Sequence, residues 1–440
     1  MLNITLYYMT NNKPKNSIKK LVMEEEDTIN KNSCNHFSEL SIKLTKNINN
    51  DVIKSGGIYF TPPSIIQKNI DRIIKKIKNI DIQHVLEPSC GSCEYVNAID
   101  KKYSDINITA IELNKDIYEA ISTLTFENNV SLINVDFLKF QTDSRYDLII
   151  GNPPYFVMNK DSVDKKYKSY FDGRPNIFII FILKCLELLN DNGVLSFVLP
   201  NSFINCLYYD KLRKVVFENY KIIDIMNCSD DSFLETQQET VVFIIQKNPN
   251  NQLHNRKFTM DINNYTIFNT RKNIKKIRKL YENSTTLMNL GFGVNVGTVV
   301  WNQCKQILTD DNSATRLIYS SDIVEQQLIT KKYKNNDKKN YIQKEGLTNP
   351  LLVINRGYGK GKYKLDYCLI DVEEKYLIEN HLICINYTNP IEKLELLELY
   401  KKLIVSLNDE RTTEFINLYF GNNAINCSEL RNVLPIYYND

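Results

Sequence analysis

Short apolar runs alternate with helical patterns between residues 84 and 247, and this alternation restricts the folds that are open to the chain. The runs predict strands, and their sequences are HVLEPSC, NITAIELN, VSLINVDFLKF, YDLIIGNPPY, VLSFVLP and ETVVFIIQK. Before VLSFVLP, the apolar segment IFIIFILKCLELLNDNG predicts a helix that ends at Asn192-Gly193. Strands that alternate with helices form a mostly parallel sheet with helices on both faces. The sequence therefore predicts a doubly wound α/β fold, whose ligand site lies at the carboxyl ends of the strands.

The length of the chain predicts two domains, because 440 residues exceed what one ordinary core holds. The polar, proline-containing segment NPNNQLHNRK, at 248–257, predicts the boundary between them. We therefore expect a polar N-terminal segment at 1–55, an α/β domain at 56–248 and a second domain at 251–440. Within the N-terminal segment, residues 27–53 predict an amphipathic helix.

Two classes of protein are excluded by what the sequence lacks. No apolar run reaches the roughly 20 residues that a membrane span needs, and the N-terminus does not have the pattern of a signal peptide. We expect a soluble, intracellular protein that binds no membrane.

Ten cysteines are spread along the chain, and only Cys90 and Cys93 have the spacing of a redox or metal site. Because zinc needs further Cys or His ligands nearby, we expect no metal.

Glycine and acidic residues follow the first two predicted strands. The first strand leads into Glu87-Pro88-Ser89-Cys90-Gly91, and the glycine allows backbone N–H groups to approach a ligand. The second strand ends in Glu112, where a carboxylate is placed to accept hydrogen bonds from ribose hydroxyls. This pattern is typical of a nucleotide site, although the GxGxxG motif is absent.

The fourth predicted strand is followed directly by Asn152-Pro153-Pro154-Tyr155. Two consecutive prolines fix the backbone and remove two N–H donors. The Asn152 side-chain oxygen and a nearby backbone carbonyl can then accept both hydrogens of an exocyclic amine, while Tyr155 offers an aromatic face to the ring that bears it. Asp136, after the third strand, is suited to an adenine amine, and Phe137 lies beside it in sequence.

Five segments in this order resemble the motifs of N6-adenine DNA methyltransferases: IYFTPP (58–63), LEPSCGS (86–92), AIELN (110–114), VDF (135–137) and IIGNPPY (149–155). The early position of IYFTPP and the large C-terminal segment are similar to the gamma group, which includes the TaqI-type modification enzymes. The resemblance implies a Rossmann-like methyltransferase sheet at 56–248, a mixed α+β target-recognition domain at 251–440 and S-adenosylmethionine as the cofactor. The implied reaction methylates N6 of a flipped-out adenine in a short duplex sequence, as the modification half of a restriction-modification system.

The resemblance also implies which residues bind the cofactor. Thr61 and the Glu87–Cys90 turn would hold the methionine part, Glu112 the ribose hydroxyls and Asp136 the adenine amine. The full implied set is Thr61, Glu87, Pro88, Ser89, Cys90, Gly91, Glu112, Asp136, Phe137 and Pro154. CGSC is therefore interpreted as a cofactor loop rather than a thiol site. Cys93 departs from many relatives, which have a second glycine there, and a positive φ at this position would strain a cysteine.

The same resemblance implies the residues that act on the target base. Asn152 and Pro153 would accept the N6 hydrogens, and Tyr155 would stack on the ring. Accepting these hydrogens draws the nitrogen lone pair out of conjugation and stabilises the positive charge that develops on N6. The base must leave the duplex to reach such a pocket. Phe233 stands where the family has a second stacking aromatic, with a core phenylalanine as the alternative.

Positive charge is concentrated in two C-terminal stretches. Residues 256–279 contain eight basic residues and one acidic residue, and residues 331–364 contain ten and two. Such clusters fit either a solvated face or a polyanionic partner. LLVINRGYGKGKYKLDY (351–367) and INLYFGNNAINCSELRNVLPI (416–436) resemble parts of the target-recognition domain of the family. The residues expected to contact phosphates of double-stranded DNA are Arg356, Lys360, Lys362 and Lys364.

Three alternatives stay open from the sequence. The NPPY motif also occurs in enzymes that methylate a glutamine amide of release factors, although these are typically shorter. An RNA methyltransferase would use the same pocket. A catalytically inert DNA-binding relative would keep the fold without turnover. We expect a monomer, and a cognate restriction endonuclease is a candidate partner.

Overall fold

A computed structural model describes residues 37–77, 81–228, 239–248, 252–356, 365–420 and 425–437. The chain divides into two compact units. The first consists of Met1–Met158, Asn176–Pro200 and Asn227–Lys247, and the second of Asn159–Pro175, Asn201–Met226 and Asn248–Asp440. The second unit thus takes two segments from inside the span 56–248 that the sequence analysis treats as one domain.

A seven-stranded sheet has the strand order β3-β2-β1-β4-β5-β7-β6. The neighbours from β3 to β5 pair in parallel, whereas β7 is antiparallel to β5. This arrangement confirms the predicted doubly wound, mostly parallel sheet. The strand bounds are β1 His84–Glu87, β2 Asn107–Glu112, β3 Asn129–Asn134, β4 Tyr146–Gly151, β5 Leu189–Pro200, β6 Lys221–Asn227 and β7 Thr240–Gln246.

The burial of the strands follows their place in the sheet. In β4, β5 and β7 nearly every residue of the apolar run is buried, as expected for strands that are covered on both faces. In β3, which has a neighbour on one side only, no residue is fully buried. The apolar runs that predicted the strands are therefore the centre of this core.

Within the described residues, six α-helices belong to the first unit. Pro63 occupies the first turn of α3, where its missing N–H costs nothing, and Ile66, Ile70 and Ile73 form the buried face. Asn69 on the same face is buried, donates to the Tyr95 hydroxyl at 3.0 Å and accepts from Ser196. The helix bounds are α1 Glu39–Asn47, α2 Asn50–Gly56, α3 Pro63–Lys76, α4 Glu94–Asp100, α5 Lys115–Ile121 and α6 Ile177–Leu188.

The structure corrects three expectations about local elements. The N-terminal helix expected at 27–53 is, within the described residues, two helices, because the chain is extended at Ile48 and Asn49. The helix expected to end at Asn192-Gly193 ends at Leu188, and these two residues lie within β5. The backbone of Lys247, the residue after β7, hydrogen-bonds to both of them. Its carbonyl accepts from the Asn192 N–H, and its N–H donates to the Gly193 carbonyl. Strand β6 was not predicted at all.

The second unit is a mixed α+β structure. It contains two four-stranded sheets, β10-β19-β16-β17 and β11-β15-β12-β18, and the two-stranded ribbons β8-β9 and β13-β14. Its strands are β8 Thr259–Ile262, β9 Tyr265–Phe268, β10 Phe292–Val296, β11 Leu308–Thr309, β12 Thr315–Ile318, β13 Ile323–Val324, β14 Gln327–Leu328, β15 Tyr341–Ile342, β16 Leu351–Asn355, β17 Tyr367–Ile370, β18 Tyr376–Ile378 and β19 Leu382–Tyr387. Its helices are α7 Ser202–Asn205, α8 Asp210–Asn219, α9 Gln252–Asn255, α10 Arg271–Leu280, α11 Lys393–Leu407, α12 Glu410–Tyr419 and α13 Cys427–Asn432.

Candidate active site

A cavity of about 300 Å³ lies in the first unit at the carboxyl ends of β1, β2, β3 and β4. This volume is at the lower end of the range typical of small-molecule sites. Of the residues that the sequence assigned to the cofactor, seven line the cavity, together with Asn152. The seven are Pro88, Ser89, Gly91, Glu112, Asp136, Phe137 and Pro154.

Three other assigned residues are buried and do not line this cavity. They are Thr61, Glu87 and Cys90, each less than about a tenth exposed. Thr61 lies two residues before α3, and the other two bracket Pro88 and Ser89 in the turn after β1. The Glu87 and Cys90 side chains therefore belong to the interior of this turn rather than to the surface of the cavity.

Glu112 fixes the turn after β1 and keeps acceptor capacity for a ligand. Its Oε2 accepts from the Gly91 N–H at 2.9 Å, and its Oε1 accepts from the Asn114 N–H at 2.7 Å. Each carboxylate oxygen has a second lone pair. Burial raises the pKa of the Glu112 carboxyl, whereas these backbone N–H groups lower it. The arrangement fits a pair of adjacent ligand hydroxyls.

The conformation of the CGSC turn explains its glycine and its strain. Gly91 has φ 52°, and a Cβ there would lie 3.3 Å from the Phe60 ring. Cys93 also has a positive φ, 63°, as the first residue before α4, so the strain considered from the sequence is present. A hydrogen bond with Cys93, followed by burial, raises the pKa of the Cys90 thiol well above its usual range. A buried protonated thiol is a poor nucleophile and metal ligand, which supports the cofactor-loop interpretation.

Glu87 is a buried carboxyl that lacks a full set of partners. Among the described residues, nothing bonds its Oε2. Burial, and next the proximity of Cys93, raise the pKa of Glu87 well above its usual range. A buried acceptor without a donor is costly, and a cationic ligand group nearby would relieve that cost. This orphaned oxygen, together with Glu112 and Asp136 at the cavity, fits the ammonium and hydroxyl groups of S-adenosylmethionine.

The N-terminal helix supports the same turn. Glu94, the first residue of α4, accepts from the hydroxyls of Ser38 and Ser41, both at 2.5 Å, through its Oε1. The Ser41 and Ser92 hydroxyls lie 2.8 Å apart. The sequence analysis gave this N-terminal segment no such role.

Asn152 is held in one orientation by bonds at both ends of its amide. Its Nδ2 donates to the Tyr59 carbonyl at 3.2 Å, so its Oδ1 faces the Tyr155 hydroxyl, which donates to it. The same hydroxyl lies 2.7 Å from the Val198 carbonyl of β5. The Tyr59 carbonyl can only accept a hydrogen bond, so the amide atom that faces it must be the nitrogen of Asn152 and the other must be the oxygen. The Ser89 hydroxyl donates to the Asn152 backbone carbonyl at 3.2 Å, which connects the two motifs.

The segment before Thr61 forms a large part of the cavity, although Thr61 was the one residue of the IYFTPP motif to which the sequence assigned a role. Residues 55–60 all line the cavity. Gly57 has φ 63°, and a Cβ there would lie 3.0 Å from the Pro154 side chain and 3.1 Å from the Tyr155 nitrogen. The signal in the sequence was the glycine pair followed by Tyr59 and Phe60, directly before the TPP motif.

The remaining assigned residues cannot all be placed. Phe233, Lys360, Lys362 and Lys364 lie outside the described residues. Arg356 follows β16 and is half-buried.

Within the described residues, no helix is long and apolar enough to cross a membrane. In the same part of the chain, no group of three or more His, Cys, Asp or Glu side chains is arranged to hold a metal ion.

Comparisons with known proteins show that the chain is similar to restriction-modification methylases. Residues 63–233 match the model of the Eco57I restriction-modification methylase. The type II methyltransferase M.CvrRI of Paramecium bursaria Chlorella virus XZ-6E is 26% identical over 91% of this chain and 99% of its own length. The modification methylase CviBIII of Paramecium bursaria Chlorella virus NC1A is 24% identical over the same shares.

A solved structure shares the fold across both units. The chain in the cryo-EM structure of the DrdV–DNA complex superposes with a TM-score of 0.51, at 13% sequence identity. The match covers 88% of this chain and 57% of that one. At this identity, the likeness establishes the fold alone.

Proposed function

We propose that the chain methylates N6 of an adenine in double-stranded DNA, because residues 63–233 match the model of the Eco57I restriction-modification methylase. The domain uses S-adenosylmethionine, which supplies a methyl group activated by its sulfonium. The target is a flipped-out adenine in a short sequence, and the biological setting is the modification half of a restriction-modification system. The names of the two viral relatives, a type II methyltransferase and a modification methylase, support this reading.

The observation that carries the proposal is the position of Asn152. Its amide borders the cavity, and its orientation is set by Tyr59 and Tyr155. The Oδ1 atom uses one lone pair for the tyrosine hydroxyl and retains the other for one N6 hydrogen. The Pro153 carbonyl accepts the second hydrogen. Fixed acceptors of this kind stabilise the positive charge that develops on N6 without a strong base.

The cofactor roles follow the lining of the cavity. Glu112 accepts from the ribose hydroxyls, and Asp136 accepts from the adenine amine, since its Oδ1 already accepts from the Leu138 N–H at 2.9 Å and its Oδ2 is left for the ligand. Phe137 and Pro154 contact the adenine ring. Thr61 and the Glu87–Cys90 turn support the methionine part.

The second unit is proposed to recognise the DNA sequence. Arg356 and the loop lysines Lys360, Lys362 and Lys364 contact phosphates, and Phe233 stacks on the flipped base; these roles stay predictions. We propose that the chain acts as a monomer, with a restriction endonuclease of the same specificity as its biological partner.

The test is transfer of a labelled methyl group to duplex DNA, RNA and protein extract in parallel. We expect label in DNA, recovered as N6-methyladenine. Asn152→Ala should abolish transfer while binding of S-adenosylmethionine survives. Asn129→Ala, at the amino-terminal end of β3, removes an exposed amide and is the matched control. Label found only in RNA or in a glutamine of protein would overturn the proposal.

A further inference from the structure

The exposed face of α10 carries positive charge along its whole length. All six basic residues of this helix are exposed, whereas its three apolar residues Ile274, Ile277 and Leu280 are buried. No apolar side chain lies on the exposed face. The six are Arg271, Lys272, Lys275, Lys276, Arg278 and Lys279. This helix lies within the basic stretch at 256–279, and no functional role proposed above includes it.

Local interactions explain why the helix forms despite this charge. The Thr270 hydroxyl caps it by accepting from the Asn273 N–H at 3.2 Å. Ile277 and Leu280 pack into the main core of the second unit. Burying each of these side chains contributes on the order of 2 kcal/mol, which outweighs the repulsion on the opposite face.

The charges oppose the stability of the helix itself. Arg271 and Lys272 stand in its first turn, where a helix favours negative charge and where it has no acidic residue. Arg271/Lys275, Lys272/Lys276 and Lys275/Lys279 are like-charged neighbours one turn apart. Each such pair costs roughly 0.2–0.5 kcal/mol, or about 1 kcal/mol for the three. A helix surface whose charges destabilise the helix, with no stabilising contact in exchange, is a candidate for a functional surface.

Few carboxylates neutralise this face. Within the described part of the chain, the one ion pair that α10 forms joins Lys276 to Glu414, at 3.8 Å and between half-exposed side chains. Arg271 packs over the Phe258 ring at 4.7 Å, and Arg278 donates to two backbone carbonyls. Lys272, Lys275 and Lys279 have no ion pair or hydrogen bond to any described residue and are left to meet an external anion.

The positive region continues beyond α10. Arg256 and Lys257 are exposed just before β8. Burial, and then the charges of Lys221, Lys257 and Arg271, lower the pKa of His254. These three cations make the protonated form of His254 less favourable, so a local positive field joins the end of α9 and residues 256–257 to the start of α10.

We propose that this surface, formed by the exposed face of α10 with Arg256 and Lys257, binds the phosphate backbone of duplex DNA. The inference rests on the proposed function and adds to it a contact independent of base sequence. The exposed cations of α10 extend from Arg271 to Lys279, a separation of eight helical steps or about 12 Å of helix axis, which corresponds to about three phosphates of one strand. Flexible lysines without apolar neighbours suit phosphate contacts. A protein partner would need an apolar or aromatic anchor, which this face lacks.

The experiment measures the affinity of the full chain for a duplex containing its methylation site, by fluorescence anisotropy over a series of salt concentrations. The variant is Lys272→Gln with Lys275→Gln. The control is Lys101→Gln with Lys102→Gln, which removes the same charge from exposed positions after α4. That site lies at the edge of the sheet opposite the cavity, because α4 runs back from the carboxyl end of β1.

We expect the variant to bind at least about tenfold more weakly near 0.1 M salt. Its slope of log affinity against log salt should be smaller by about 1.8, from roughly 0.9 for each lost phosphate contact. Its thermal stability should be unchanged or higher because repulsion is removed, so misfolding is separated from lost contacts. The control should match the wild type.

Two results would overturn the inference in distinguishable ways. If the wild type methylates and binds DNA but the variant has the same salt slope, the surface is wrong and the proposed function stands. If the wild type has no affinity for duplex DNA, both fail together.

Discussion

The Tyr155 hydroxyl is the group whose removal tests the geometry of the site most sharply. In Tyr155→Phe the ring stays and can still stack on a base, but the only donor to Asn152 Oδ1 that the structure shows is lost. The Val198 carbonyl, at 2.7 Å, loses the same donor. The change therefore separates stacking from orientation of the amide.

The magnitude follows from the burial of the hydroxyl. Burial raises the pKa of Tyr155 well above its usual range, so the hydroxyl is a neutral donor at all working pH values. Leaving buried acceptors unpaired costs about 1–3 kcal/mol, and we expect the free energy of unfolding to fall by about 1–2 kcal/mol. Asn152 keeps its bond to the Tyr59 carbonyl and can pivot about it. Displacement of a fixed acceptor in this way should lower kcat by roughly 10- to 100-fold.

The assay is steady-state methylation with calorimetric binding of S-adenosylmethionine alongside. We expect kcat to fall and the Kd of the cofactor to stay within about twofold, since the hydroxyl does not line the cofactor cavity. Tyr146→Phe is the matched control, because it removes a hydroxyl from β4 whose one hydrogen bond to a described residue is a weak one to Thr109 at 3.5 Å. If Tyr155→Phe turns over like the wild type, the hydroxyl does not orient Asn152.

Three further predictions concern the cofactor cavity and the turn beside it. In Glu112→Gln, an NH₂ group faces one of the two backbone N–H groups from which the carboxylate accepts hydrogen bonds in the wild type. We therefore expect calorimetry to show the Kd of S-adenosylmethionine rising about 30- to 150-fold; an unchanged Kd would mean that the carboxylate does not bind the ribose. The raised pKa of Glu87 means that the folded protein holds this proton more tightly than the unfolded chain. Stability is then lost as pH rises from the ordinary glutamate range through the folded pKa. Urea unfolding should therefore show Glu87→Gln gaining stability relative to the wild type as the pH rises above the ordinary glutamate range, and parallel pH curves would contradict this. Gly57→Ala forces a side chain into a positive φ and against Pro154, so we expect a loss of about 1–3 kcal/mol by thermal unfolding. Gly56→Ala, whose Cβ meets only a flexible side chain, should be nearly neutral.

The strands and the residues at their ends were predictable from the sequence. Strands covered on both faces need continuous apolar runs, and those runs end where the chain meets the cavity. Glu112 closes β2 and Asn152 follows β4 directly, so their spacing from the apolar runs was enough to bring them together. The sequence could show that a positive φ would strain Cys93, but not that φ is positive there, because this depends on how the turn packs.

Local signals failed where tertiary pairing decides the structure. Asn192-Gly193 has the composition of a helix end, yet pairing with Lys247 draws it into β5. The run KIIDIMN, at 221–227, contains an aspartate and was not recognised as β6. The N-terminal helix α1 looks like an independent amphipathic segment, but its Ser41 bonds the cofactor turn. No periodicity in the sequence encodes contacts between such distant segments.

The central claim is that the pocket at 152–155 turns the outer nitrogen of an extruded adenine into a nucleophile. The most direct measurement incubates the purified chain with S-adenosylmethionine and unmodified duplex DNA of varied sequence, then separates the digested nucleosides by mass spectrometry. The account predicts N6-methyladenine in the wild-type reaction and none with Asn152→Ala. Adenine left unmodified by the wild type, or a methyl group found on cytosine, would contradict it.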